Sequence, residues 1–278
     1  MPELSPYLLL GRKQAIKQWL KSLRARFTAT ARPSFMIIGA QKSGTTALAR
    51  MLCEHPQLFR GQFKELHYFS NDSWYGPNTL HQYHSFFPAS PPPGAKYLDA
   101  TPMYLYHPEV AQRLRLYNPE LKLIVLLREP ASRALSAWKM CHHKFQDGPL
   151  SFLEDSRPFS DAIDEELRGN LDDFSPATAH HDYVKRGMYE KQLAKYFECF
   201  PKEQMLIINS DSLRTDPQPV INDLLSFLNV DHYDLPVRVA NVGIELNQDF
   251  GENLQRLRDF YVPYNEALFQ KIGASWDW

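Results

Sequence analysis

Residues 37–48, IIGAQKSGTTAL, place one lysine and three hydroxyls inside a glycine-bearing turn. An apolar run precedes the turn and helix-forming residues follow it. Backbone N–H groups at such a helix start, together with its dipole, attract an anion, and Lys42 adds a point charge able to reach a bridging or leaving oxygen. Gly39 and Gly44 keep the spacing of the nucleotide-triphosphatase loop, G-x-x-x-x-G-K-[ST], but Thr45 follows Gly44 and Lys42 lies inside the turn. No hydrophobic strand ends in the aspartate that would hold magnesium, so the parts needed for ATP hydrolysis are incomplete. The residues leave three readings: an ordinary strand-to-helix turn with chance hydroxyls, an altered ATP site, or a site for another phosphate donor. A second group, Lys64, Glu65 and His67 in FKELHYF, could move protons. An ordinary histidine titrates near neutrality, whereas a glutamate needs burial or a neighbour to do so. Taken alone, Lys64 and Glu65 read as an exposed ion pair on a loop.

The elements that must position these groups are legible in the hydrophobic pattern. SFMIIG reads as a short buried strand and Thr45–Cys53 as the helix after the loop. KYLDA is a second strand, and HPEVAQRLRLYNP a helix bounded by prolines. LKLIVLLRE is too continuous to alternate, as expected of a central parallel strand covered on both faces. Pro130 opens a helix running at least through Trp138. GMYEKQLAKYFECF is helical, QMLIINS a further strand and PVINDLLSFLNV a helix; the last helix, ENLQRLRDFYVPYNEALFQKI, is expected to break near Pro263. The fold class is α/β: a P-loop-like, mostly parallel sheet flanked by helices on both faces. Residues 33–278 form a single domain with an acidic insertion or flap at 144–182, expected to be mostly irregular and mobile. Residues 1–32 carry a basic amphipathic helix. Its stripe of Ile16, Trp19, Leu20, Leu23 and Phe27 is expected to pack on the body, with a membrane-surface or polyanion-binding helix as the competing reading.

The 31 Lys and Arg nearly balance the 32 Asp and Glu, so total charge favours no polyanionic partner, and none of the motifs reads nucleic acid. Distribution is uneven. Residues 1–53 hold nine bases and one acid, Glu3, whereas Asp147–Asp173 holds nine acids and only Arg157 and Arg168. Cys53, Cys141 and Cys199 are odd in number and far apart, which excludes a disulfide framework and a zinc spacing and implies reduced thiols. No apolar run reaches the length of a membrane span and the first residues lack the features of a signal peptide, so a soluble cytoplasmic protein is expected.

GAQKSGTTAL resembles the 5'-phosphosulfate loop of the sulfotransferases that use 3'-phosphoadenosine 5'-phosphosulfate (PAPS), in which the lysine sits two residues before the glycine. The resemblance places Gln41, Lys42, Ser43, Gly44, Thr45 and Thr46 on the donor. LIVLLREPASRALSAW resembles that family's second signature, which implies that Arg128 and Ser136 bind the 3'-phosphate. A guanidinium at a strand end and a hydroxyl two turns into the next helix can converge on one anion. Arg133, between Arg128 and Ser136, lies on another face and anchors the helix. The competing reading makes Arg128 a strand cap paired with Glu129. RGMYEKQL resembles a third segment, which puts Gly187 and Tyr189 beside the nucleotide. The family often closes over the 3'-phosphate with a late basic residue followed by glycine; residues 230–260 lack that pair, and Arg238 is the nearest substitute.

On the acceptor side, FKELHYF resembles the K-E-x-x-F-F stretch of heparan-type sulfotransferases, which implies Glu65 as catalytic base, with His67 as rival base or acceptor contact. YLDATPMYLYHP resembles their E-K-T-P-x-Y segment and implies that Asp99, Thr101 and Tyr104 contact substrate. Ala100 stands where those enzymes have a lysine, a departure that argues against a heparan-like acceptor. An acidic flap over the site would suit a cationic or neutral small molecule. The implied reaction is in-line, metal-free sulfuryl transfer from PAPS to a hydroxyl or amine of a small molecule or saccharide, leaving adenosine 3',5'-bisphosphate. A P-loop kinase or ATPase and a non-catalytic nucleotide-binding domain are the alternatives.

Overall fold

Five short apolar runs form strands, and helices cover both faces of the sheet they build. The computed structural model describes residues 12–25, 30–145, 150–236 and 248–278. In chain order the elements are α1 (Arg12–Ala25), β1 (Pro33–Gly39), α2 (Thr45–Leu52), β2 (Leu58–Arg60), α3 (Leu80–His84), β3 (Lys96–Ala100), α4 (Met103–Tyr106), α5 (Val110–Tyr117), β4 (Lys122–Leu127), α6 (Pro130–Lys144), α7 (Phe159–Arg168), α8 (Tyr189–Cys199), β5 (Met205–Asn209), α9 (Ser210–Thr215), α10 (Pro217–Leu228) and α11 (Gly251–Ile272). The strands lie in the order β2-β3-β1-β4-β5, every neighbouring pair parallel. From β1 the chain winds toward one edge and from β4 toward the other. The C-terminal ends of β1 and β4 therefore flank the switch point, where open parallel sheets form a ligand crevice.

Alternate residues of the central strands feed two cores. Met36, Ile38, Leu123, Val125 and Leu127 pack with Tyr83, Tyr104, Tyr189 and Tyr196 on one face. Phe35, Ile37, Ile124 and Leu126 pack with Leu48 and Leu52 of α2 and Ile221, Leu224, Leu225 and Leu228 of α10 on the other. A third cluster joins α6, α7 and α11 through Trp138, Phe159, Ile163, Leu257 and Tyr261.

Four expectations change. The edge strand β2, only three residues long, carries too little pattern to be seen in sequence. Within the acidic segment, residues 159–168 are helical rather than irregular, because Phe159, Ala162 and Ile163 share a face and bury it against α6 and Phe250. The last helix runs unbroken through Pro263. Pro263 is exposed, so the carbonyl it frees one turn earlier faces water, while Leu257, Tyr261 and Leu268 anchor the helix on both sides of it. Finally, α1 does not bury its apolar stripe. It packs on the α3 region through Gln18 and Ser22, with Gln18 Nε2 donating to Ser85 Oγ at 2.8 Å. Ile16, Trp19, Leu20 and Leu23 stay exposed, and Phe27 lies outside the described residues.

Candidate active site

Parallel strands deliver their C-terminal ends to one edge, and the candidate residues gather there. Because β3, β1 and β4 are consecutive in the sheet, the segments at their ends are spaced by roughly one strand separation each, about 4.8 Å. At the end of β1 the chain turns through residues 40–44, with Ala40 N–H donating to the Leu126 carbonyl at 2.6 Å. Gly44, at φ 93°, precedes α2; its positive φ is the conformation glycine adopts without penalty. Lys42 adopts φ 70° without that freedom. Its Nζ approaches Met140 Sδ of α6 at 3.6 Å. Ser43 is buried, and neither its Oγ nor Gln41 Oε1 has a hydrogen-bond partner among the described residues. Thr45 is buried and Thr46 partly so in the first turn of α2.

Arg128 follows β4 and donates from Nη1 to the Lys42 carbonyl at 3.3 Å, its sole protein acceptor among the described residues. Burial lowers its pKa, so an anion beside it would relieve an existing electrostatic cost. Glu129 does not pair with Arg128. Its carboxylate caps α6, accepting from Ala131 N–H at 2.9 Å and Ser132 N–H at 2.8 Å. Ser136 is partly exposed in the second turn of the same helix. Tyr189 is 1% exposed and opens α8, but its hydroxyl donates to the Arg128 carbonyl at 2.9 Å, so it braces the arginine's backbone. Gly187 permits a close approach: a Cβ there would lie 2.4 Å from the Tyr261 hydroxyl. Arg238 lies outside the described residues.

Glu65 lies over the end of β3, its N–H donating to the Ala100 carbonyl at 3.0 Å. Its side chain is 44% exposed and pairs with Lys64 and, at 3.7 Å, with His67 Nε2. The surrounding protein opposes its charge, but hydrogen bonds and charges from His67 and Lys64 outweigh that and hold the carboxyl well below the ordinary carboxylate range. His67 Nδ1 lies 3.3 Å from Ser70 Oγ. Glu65 and His67 have φ of 61° and 58°. Three of the four non-glycine residues at positive φ among the described residues are thus Lys42, Glu65 and His67. Such strain, about 1–3 kcal/mol each, persists where the surrounding fold over-determines it and clusters at functional sites.

Asp99, Thr101 and Tyr104 do not line an open surface. They are 2%, 0% and 0% exposed, and the Asp99 carboxylate accepts from Thr101 Oγ1 at 2.8 Å, Tyr104 OH at 2.9 Å and Tyr83 OH at 3.0 Å. Burial pushes the Asp99 carboxyl up against the pull of these hydrogen bonds. These side chains therefore lie inside the protein, and Asp99 and Thr101 flank Ala100, whose carbonyl holds the Glu65 N–H.

Sequence reasoning missed His180. It ends the acidic segment, its carbonyl takes a contact from Cys141 Sγ of α6 at 3.8 Å, and its ring lies near enough to feel the charges of His67 and Glu65. Burial, Arg186 and His67 push it down to about 3, so it is a neutral imidazole. A histidine in an acidic stretch carries no periodic signal; only the tertiary fold puts His180 within electrostatic reach of Glu65. The flap is also less acidic in effect than its composition. Asp155 and Glu165 pair with Arg157, Asp164 with Arg168 and Arg256, and Asp172 with Lys191, while Glu166 accepts from the Val184 and Lys185 N–H groups.

A lysine-bearing glycine loop and an arginine at adjacent strand ends, with a carboxylate–histidine pair one strand away, are parts that suit an α/β group-transfer enzyme. The sulfotransferase domain model matches residues 32–238, and the chain belongs to that family, whose chemistry is sulfuryl transfer. Over 273 residues it is 26% identical to heparan sulfate glucosamine 3-O-sulfotransferase 5 of Homo sapiens, covering 88% of this chain and 74% of that one. It is 27% identical over 213 residues to bifunctional heparan sulfate N-deacetylase/N-sulfotransferase 1 of Caenorhabditis elegans, covering 74% of this chain but only 23% of that larger protein. A crystal structure of a sulfotransferase from Alicyclobacillus acidocaldarius superposes with a TM-score of 0.70 at 26% identity, covering 88% of this chain and 98% of that one.

Proposed function

We propose that the enzyme transfers the sulfuryl group of PAPS to a hydroxyl of a saccharide, with Glu65 as general base. The observation that carries this reading is the pairing of β1 with β4, which puts the Lys42 turn and Arg128 at adjacent strand ends, where Arg128 Nη1 donates to the Lys42 carbonyl. The site suits the donor: the unpartnered Ser43 Oγ and Gln41 Oε1, the α2 N-terminus and Lys42 would hold its 5' end, and Arg128 and Ser136 its 3'-phosphate. When bound, the donor supplies a sulfur–oxygen bond whose cleavage leaves a phosphate. Lys42 and the loop N–H groups would offset the charge that collects there. Glu65, held ionised by Lys64 and His67, would take the acceptor proton as the new oxygen–sulfur bond forms. His67 and His180 would border the acceptor, and the Asp99 network would position Glu65 from beneath.

A magnesium-dependent kinase or ATPase is disfavoured because no lysine follows Gly44 and no hydrophobic strand ends in an aspartate that would hold magnesium. Salt bridges to Arg157, Arg168, Lys191 and Arg256 offset several of the flap's acids, which weakens the argument for a cationic acceptor. The relatives named for heparan sulfate support a saccharide hydroxyl. Incubation with radiolabelled PAPS and a panel of saccharides, followed by mass spectrometry, should show a gain of one sulfonate on a saccharide. Label transfer to small amines alone would sink the acceptor assignment, and phosphate release from ATP without transfer of sulfate would sink the reaction itself.

A further inference from the structure

We propose that α1 docks the enzyme onto an anionic lipid surface, lying in the headgroup plane with its apolar stripe in the membrane. The helix shows three faces, each about a third of its circumference at 100° per residue. Gln18 and Ser22 face the body and are 2% and 3% exposed. The next face carries Ile16, Trp19, Leu20 and Leu23, which are 55%, 57%, 50% and 38% exposed. The third carries exposed Lys17 and Lys21. This inverts the ordinary surface helix, which buries its apolar stripe and wets its polar one. Nothing among the described residues covers the stripe.

Charge and size together select the occupant. The sequence of α1, RKQAIKQWLKSLRA, has five basic residues and no acid. A soluble polyanion would satisfy the lysines but leave tryptophan, leucine and isoleucine in water. A protein partner would need about 800 Å² on this side, and a stripe some 21 Å long and 10 Å wide offers only about a quarter of that. An anionic bilayer accepts both features, the apolar side chains in the acyl boundary and the lysines among the headgroups. The helix cannot span: at about 21 Å it is shorter than the hydrocarbon core of roughly 30 Å, and no described helix is long and apolar enough to cross a membrane.

The test is flotation of the full chain with phosphatidylcholine vesicles and with phosphatidylcholine–phosphatidylglycerol vesicles, at low and high salt. Two variants accompany it, Trp19→Ser with Leu20→Ser, and Lys17→Gln with Lys21→Gln; these side chains are exposed, so folding should survive, as circular dichroism and binding of adenosine 3',5'-bisphosphate would verify. The expected result is flotation with the anionic vesicles, reduced by at least about tenfold in either variant and by high salt. Failure to float with anionic vesicles would overturn the proposal. So would flotation that the lysine pair controls while the Trp19/Leu20 pair does not, which would make the face a site for soluble polyanions. A wild-type dimer that the Trp19/Leu20 variant splits, with no vesicle binding, would assign the face to a second copy of the chain.

Discussion

Tyr83, Tyr104 and Tyr196 are each fully buried, but their hydroxyls donate to two kinds of acceptor, which makes their replacement by phenylalanine an internal calibration of the support for Glu65. Tyr83 and Tyr104 both donate to Asp99 Oδ2, at 3.0 and 2.9 Å, whereas Tyr196 donates to the neutral Tyr104 carbonyl at 2.7 Å. A buried hydrogen bond to a charged acceptor contributes about 1.5–3 kcal/mol and one to a neutral acceptor about 1 kcal/mol. Removing one oxygen opens little cavity, so these differences should dominate. With an unfolding entropy of about 2.1 cal/mol/K per residue, a chain of this length unfolds with about 0.6 kcal/mol/K, so a 2 kcal/mol loss lowers Tm by about 3–4 °C. Tyr104→Phe and Tyr83→Phe should each lose about that much in calorimetric melts, and Tyr196→Phe about half. Tyr104→Phe should also lower turnover more than affinity for adenosine 3',5'-bisphosphate, because the network ends at Ala100, whose carbonyl holds the Glu65 N–H at 3.0 Å. Equal losses in all three variants would refute the view of Asp99 as a charged acceptor. Unchanged turnover would refute its link to Glu65.

Three further outcomes are expected. Glu65→Gln should reduce turnover by about 100-fold or more with donor affinity nearly unchanged; near-normal turnover would move the base to His67. Gly187→Ala would force a methyl to within 2.4 Å of the Tyr261 hydroxyl, which donates to the Val184 carbonyl, so denaturant titration should show a loss of about 1–3 kcal/mol. An unchanged midpoint would mean the helices shift freely. Burial, assisted by Asp182 and opposed by the Lys185 and Val184 N–H groups, raises Glu166 from 4.5 to about 7. The folded state therefore holds a proton that the unfolded state has lost, and stability should fall as pH rises between those values, by roughly 3 kcal/mol at most. Glu166→Gln should flatten that slope, and a slope that persists in the variant would assign it to another group.

Four of the five strands and the β1 loop were legible because each strand is a contiguous apolar run beside its own turn signal, and Lys42 falls inside one such turn. What a single sequence does not show is φ. Lys42, Glu65 and His67 give no local hint of a left-handed backbone, since their strain is imposed by the packing around them. Asp99, Thr101 and Tyr104 stood out in the sequence, but their third partner, Tyr83, lies 16 residues away from Asp99 on α3, and without it burial could not be told from substrate contact. For α1 the helical period revealed the stripe correctly, whereas which face meets the body depends on the tertiary partner Ser85, 67 residues beyond Gln18. His180 comes within electrostatic reach of Glu65 only through a fold that no periodicity encodes.

The proposed reaction requires a nucleotide site with two phosphate poles, one at Lys42 and one at Arg128. Calorimetry with adenosine 3',5'-bisphosphate and with AMP tests it most directly. The bisphosphate should bind at least about tenfold more tightly, and Arg128→Met should abolish this preference while AMP affinity changes little. Equal affinity for the two nucleotides in the unmodified enzyme would contradict it.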